Sequence, residues 1–164
     1  MRLLWGIIDP KQPPTIPPDD ILLTFSSRFV DETSLMEARD GRPLISPTLV
    51  RVRTSITDGS YIASQLRQIE EHILDYIQSS LARFGLVIWC PDLRQTPYAL
   101  YNAACRVIAL DTFKQAPISH AHVHLAPIIS YVKDMTLLVK MYDHFVHHNL
   151  YIRYKEECRV CQVV

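Results

Sequence analysis

The chain has 164 residues, 48% of them hydrophobic, and its 17 basic residues balance 17 acidic ones for a formal net charge of zero. That length suits one domain with a real core and is short for two. The balanced charge argues against a chain-wide surface for nucleic acid or anionic membrane and favours self-association over repulsion. No apolar run approaches the roughly 18 residues that a membrane span needs. Four cysteines, Cys90, Cys105, Cys158 and Cys161, follow no secretory signal and are expected to stay reduced in an intracellular protein.

Residues 1–19 read as an exposed N-terminal arm. Pro10, Pro13, Pro14, Pro17 and Pro18 support neither a helix nor an interior strand, so residues 9–18 are expected to be extended. Within the arm, Pro14-Thr15-Ile16-Pro17 resembles the Pro-Thr/Ser-Ala-Pro motif by which enveloped viruses recruit the host budding machinery, with isoleucine in place of alanine.

A single domain is expected over 20–157. Ile21 to Phe25 is the first strand candidate, and Asp31 to Arg42 is a polar connection ending in an Asp-Gly turn signal. A second strand is expected from Thr48 to Ile56, with Val50, Val52 and Ile56 on one face and Arg51 and Arg53 on the other. Those two arginines read as a solvated face or as a small patch for lipid headgroups or RNA phosphate.

The most legible stretch begins at Ser60. Ile62, Leu66, Ile69, Ile73, Ile77, Leu81 and Phe84 recur three and four residues apart, the signature of an amphipathic helix, and Gly85 stands where a left-handed C-terminal residue is wanted. Leu86 to Trp89 then reads as a short covered strand ended by Pro91. Thr96 and Pro97 open a second helix with Leu100, Ala104, Val107 and Ile108 in a narrow stripe. From Met135 the pattern fits a helix or two strands. The concentration of β-branched and aromatic residues favours strands around a Tyr142 to Asn149 connection, before a tail at 158–164. The expected fold is therefore α+β, with a mixed or antiparallel sheet and two principal helices.

Histidines carry the most conspicuous chemistry. On a strand, His120, His122 and His124 would share one face. The run His-Ala-His-Val-His-Leu-Ala-Pro resembles the histidine-triad motif of nucleotide hydrolases and transferases. The resemblance implies that His122 attacks an α-phosphate while His120 and His124 handle protons and phosphate oxygens. The glycine-bearing segment that usually precedes that motif is replaced here by the helix beginning at Pro97. A second set, His147, His148, Cys158 and Cys161, holds residue types that bind zinc. No other cofactor is implied.

The order of arm, strands, amphipathic helix, short strand and second helix resembles the compact matrix proteins of non-segmented negative-strand RNA viruses, bornavirus-like and rhabdovirus-like. Tyr98 to Ala104 looks like the corresponding bornavirus helix, and Thr136 to Asp143 looks like a late rhabdovirus strand. The resemblance implies a homo-oligomer lining an anionic membrane surface and contacting nucleocapsid or RNA. It places the protein in the host cytoplasm and on the inner face of a membrane or virion. The expected function is thus structural assembly, with nucleotide hydrolysis or transfer through His122 as the alternative.

Overall fold

The computed structural model describes residues 14–51, 71–118 and 133–161. All regular structure among them is helical and no strand is present, so the expected sheet is replaced by an all-α architecture. The helices are α1 (Asp19–Arg28), α2 (Glu32–Asp40), α3 (Glu71–Arg83), α4 (Leu100–Ile118), α5 (Met135–Asp143) and α6 (Tyr151–Cys161). Among the described residues a 3₁₀ turn, Pro47–Leu49, comes before α3, and a π-helical segment, His144–Leu150, joins α5 to α6 without a break.

The first strand candidate is the middle of α1. Asp19 and Asp20 lie at its positive end and Arg28 at its negative end, which favours the helix electrostatically. Phe25 and Phe29, one turn apart, are buried, with ring centroids 4.7 Å apart. The polar connection after it is also helical, because Asp31 and Ser34 form a reciprocal capping box. The Asp31 carboxylate accepts from the Ser34 amide at 2.8 Å, and the Ser34 hydroxyl oxygen accepts from the Asp31 amide at 3.4 Å. Those bonds, led by the one from the Ser34 amide, hold the Asp31 carboxyl below the usual carboxylate range. Of α2 only Leu35 is buried, too little apolar surface to advertise a helix in the sequence.

The expected strand from Thr48 begins instead with the 3₁₀ turn, after which the Arg51 amide donates to the Val87 carbonyl at 2.7 Å. Leu86 to Trp89 is irregular chain with bends at Val87 and Ile88 and forms no strand, and the expected strand beyond Arg51 lies outside the described residues.

Helix α3 ends as its sequence predicts. Gly85 has φ +68°, the Leu86 amide donates to the Leu81 carbonyl at 3.0 Å, and the Gly85 amide donates to the Ala82 carbonyl at 3.0 Å. This is a Schellman closure, and its apolar clasp is the buried pair Leu81 and Leu86. The Ala82 carbonyl also accepts from the Leu44 and Ile45 amides, so the loop leaving α2 is sewn to the end of α3.

Helix α4 lies at the centre and packs against α1, α3 and α5. Tyr101, Ala104, Cys105, Ile108, Ala109 and Leu110 are all buried, so the narrow expected stripe is in fact a helix covered on several sides. Small residues at Ala104, Cys105 and Ala109 let its neighbours approach closely. Arg39 clamps α2 to α4 through two 2.7 Å bonds to the two carboxylate oxygens of Asp111.

The segment from Met135 is one helix with a widened middle, not two strands. Leu138, Tyr142, Val146 and Leu150 are buried, each four residues after the last, and Tyr154 and Cys158 continue the row half-buried. An α-helix advances about 40° past a full turn in four residues, so such a row would wind around a regular helix. The wider π turn from His144 to Leu150 winds it back and keeps the row on the core.

At Gly85 any side chain must adopt the left-handed conformation and also meets the Arg28 guanidinium. Gly85→Ala is expected to lower stability by about 1–2 kcal/mol, read as the shift of the urea midpoint at unchanged slope, with Gly85→Asn milder.

Candidate functional site

The densest polar chemistry sits between Cys90 and Asn102, where irregular chain crosses the start of α4. Asn102 is fully buried. Its side-chain carbonyl accepts from the Asp92 amide at 2.9 Å, and its side-chain NH₂ donates to the Asp92 carbonyl at 3.0 Å and to the Thr96 carbonyl at 2.9 Å. One side-chain amide therefore bonds three backbone groups of irregular chain, the two carbonyls being shared with the Gln95 and Ala99 amides.

The Asp92 carboxylate, 1% exposed, accepts from the Arg94 amide at 3.0 Å, the Arg94 Nε at 2.9 Å and the Gln95 side-chain NH₂ at 3.0 Å. Arg94 reaches on to Asp19 at 3.1 Å and to the Pro17 carbonyl at 3.3 Å. The bonds to Asp92, ahead of those to Asp19, raise the Arg94 guanidinium further above its ordinary range. On the inner side, the buried Trp89 indole N–H donates to the Cys105 carbonyl at 2.8 Å.

Two thiols lie close to this knot. Cys90 is buried, in contact with Thr15 through its sulfur, and donates to the Thr15 carbonyl at 3.3 Å. Cys105 is buried in α4 beside Tyr101. Neither forms a disulfide. Desolvation pushes the Cys105 thiol and the Tyr101 hydroxyl well above their ordinary values, so both stay protonated at neutral pH and are poor nucleophiles. With its carboxylate committed to Arg94 and Gln95, Asp92 is likewise a structural acceptor rather than a base aimed at a substrate. The cluster holds chain in place.

A second polar group lies where α5 and the π turn meet α4. Arg106 reaches Asp143 at 3.4 Å, and Tyr142 packs edge-on against Trp89 at 6.4 Å between centroids. The half-buried His147 ring stands 6.1 Å from Tyr142, and its Nε2 is buried without a hydrogen-bond partner. Burial pushes the His147 imidazole below its ordinary value; Asp143 opposes that shift and Arg106 adds to it.

Most residues expected to act are brought to no common site. His120, His122, His124 and Arg53 lie outside the described residues, and Arg51 is exposed at the edge of a described segment. Pro14 and Pro17 are buried rather than displayed, with Thr15 exposed and Ile16 half-buried, so this part of the proline-rich segment is packed on the domain and is not a free docking peptide. His148 and Cys158 are ten residues apart on continuous helix, about 15 Å along its axis, which separates the two halves of the expected zinc set; the Cys161 side chain is not described. Among the described residues no three His, Cys, Asp or Glu side chains gather as metal ligands, and no helix is long and apolar enough to cross a membrane.

The Asp92–Asn102 knot escapes a reading based on apolar periodicity. Its one signal is an asparagine next to Tyr101 and Ala103 in an apolar helix, which must find partners if it is buried. Comparison with known protein families, with curated proteins and with solved structures finds no match. The described residues form an all-helical domain in which Asp92 and Asn102 are spent on holding irregular chain.

Asn102→Ala takes its partner from the buried Asp92 amide and leaves the Asp92 and Thr96 carbonyls with only the Gln95 and Ala99 amides, and is expected to cost about 1–3 kcal/mol. The exposed Asn149→Ala, measured in the same urea series, stays within about 0.5 kcal/mol. For His147, the folded chain binds its proton more weakly than the unfolded chain. Its contribution is therefore complete above the unfolded value near 6.5 and is lost as pH falls through it. His147→Phe should flatten the decline of stability measured between pH 7 and pH 5.

Proposed function

We propose that this protein works by self-association, as an oligomeric structural protein of the matrix kind, and not through a reaction of its own. The observation that carries this reading is on and beside α1. Leu23 is 72% exposed and Val30 is 82% exposed, although Phe25 and Phe29 between them are buried. Met36 on α2, together with Leu44 and Leu49 in the loop that follows, adds further exposed apolar side chains to the same N-terminal part of the chain.

A second copy is the occupant that fits. The chain carries no net charge to repel itself, and apolar side chains left in water are stabilised by meeting their like. The resemblance to matrix proteins supports the same reading on its helical side, since Leu100 to Ala104 is helical; Thr136 to Asp143, compared there with a strand, is helix. Binding to anionic membrane, and to nucleocapsid or RNA, belongs to this proposal as the use to which an oligomer would be put, each subunit adding weakly to a multivalent contact. The histidine-triad alternative rests on His120, His122 and His124 and draws no support from the described geometry.

Light scattering after size exclusion, over a wide range of protein concentrations, tests the reading. The wild-type chain should populate oligomers, and Leu23→Glu with Val30→Glu should raise the concentration for half-assembly at least tenfold. Withdrawing the two apolar groups is worth about 1–2 kcal/mol each. Both sites are exposed, so the circular dichroism of the double variant should match the wild type. A wild-type chain that stays monomeric throughout, or a folded double variant that assembles as well as wild type, would sink the proposal. Sedimentation with anionic liposomes then asks whether the oligomer binds membrane.

A further inference from the structure

The period-four row that faces the core from α5 to α6 has a counterpart on the outer side. Lys140, His144, His148, Ile152, Glu156 and Val160 are all exposed, each four residues after the last. Two of them are imidazoles at adjacent positions in that row, within the π turn. The His144 and His148 rings stack at 5.1 Å between centroids with 21° between their planes.

We propose that His144 and His148 form a bidentate site for a late first-row divalent metal ion, with water completing its coordination. Imidazole is the ligand that such ions prefer among side chains other than thiolate. Two nitrogens bound to one zinc at about 2.0–2.1 Å each lie roughly 3.3 Å apart in tetrahedral geometry. Two nearly parallel rings on one helix face reach that separation by turning about their own side-chain bonds, with no movement of backbone. The spacing is that of helical His-x-x-x-His zinc pairs. Phe145 follows the first histidine, where the hydrolytic version of that pattern carries a glutamate, so the site binds a metal without supplying that base.

The surroundings set its strength. Lys140, one turn before His144, works against a cation, whereas Asp143 is turned toward Arg106 on α4. His147 points inward to Tyr142 and is not a third ligand. With two imidazoles as its ligands among the described residues, the site should follow the Irving–Williams order, with Cu²⁺ tighter than Zn²⁺ and Mg²⁺ not bound. Acid should weaken binding, since only neutral imidazole ligates. The inference is independent of self-association, which uses the opposite end of the chain.

Calorimetric titration of the full chain with Zn²⁺ at pH 7.5 tests it, and the count of sites is the decisive readout because His120, His122 and His124 offer other imidazoles. His144→Ala should weaken one equivalent at least tenfold, His148→Ala should weaken the same equivalent, and the double variant should lose that equivalent and no more. A second variant with alanine at His120, His122 and His124 should retain it, and Zn²⁺ should raise the thermal midpoint of that variant but not of the same variant carrying His148→Ala as well. Full stoichiometry in the double variant, or losses that add to two equivalents, would overturn the proposal.

Discussion

A single buried amide, Asn102, decides how the buried loop between α3 and α4 is arranged. Between Phe84 and Ala99 the chain forms neither helix nor sheet, yet Leu86, Trp89, Cys90, Pro91, Asp92 and Leu93 are buried. Buried backbone without regular structure leaves donors and acceptors that must be satisfied one at a time. Asn102 is placed on a rigid helix and answers three of them, which ties the position of the loop to the position of α4. The indole of Trp89, bonded to the Cys105 carbonyl one turn later on the same helix, repeats the device. Through Arg94 the constraint extends to Pro17 and Asp19, so the approach to α1 is set by a residue some eighty positions later.

That economy also fixes the state of the ionisable groups near the loop. Asp92 is shared among several structural bonds, and Cys105 is held protonated by burial. Activation would need the opposite arrangement, a group with an unshared lone pair and a neighbour that favours its charged form. The His147 Nε2, buried without a hydrogen-bond partner and with Asp143 favouring the charged ring, has part of that arrangement, while apolar side chains on α1 and an imidazole pair on the π turn remain in solvent.

Legibility followed the strength of each helix's own signals. Helix α3 could be read from Ile73, Ile77, Leu81 and Phe84, all buried, and from Gly85, whose left-handed backbone closes it. Its apolar stripe and its stop signal agree, as they do in sequences with little local conflict. Helix α1 failed because Ile21-Leu22-Leu23-Thr24-Phe25 is a short apolar run, and such runs fit a strand as well as a helix. What decides it is the pair of aspartates at one end and the placement of Phe29 one turn beyond Phe25. Helix α2 failed for want of apolar residues, its start being written in Asp31 and Ser34 instead. The buried knot left only Asn102 in an apolar helix as its trace, because the partners of that side chain are backbone atoms up to ten residues away.

The C-terminal helix was misread for a reason that also bears on its use. A repeat of four is commensurate with the two-residue alternation of a strand and off by about 40° per step from the α-helix. Leu150 and Tyr154 therefore satisfy a strand pattern while belonging to a helical row. The conflict is resolved in the backbone by widening one stretch, and the resolution acts on both faces at once. A turn that returns Tyr142, Val146 and Leu150 to the core also returns Lys140, His144, His148 and Ile152 to one outward line. The stacking of two exposed imidazoles thus follows from core packing on the far side of the same helix: the register is set by residues with strong reasons to be buried. A ligand at that pair would meet positions already held in place, and the ordering of its two side chains is the only conformational freedom it has left to remove.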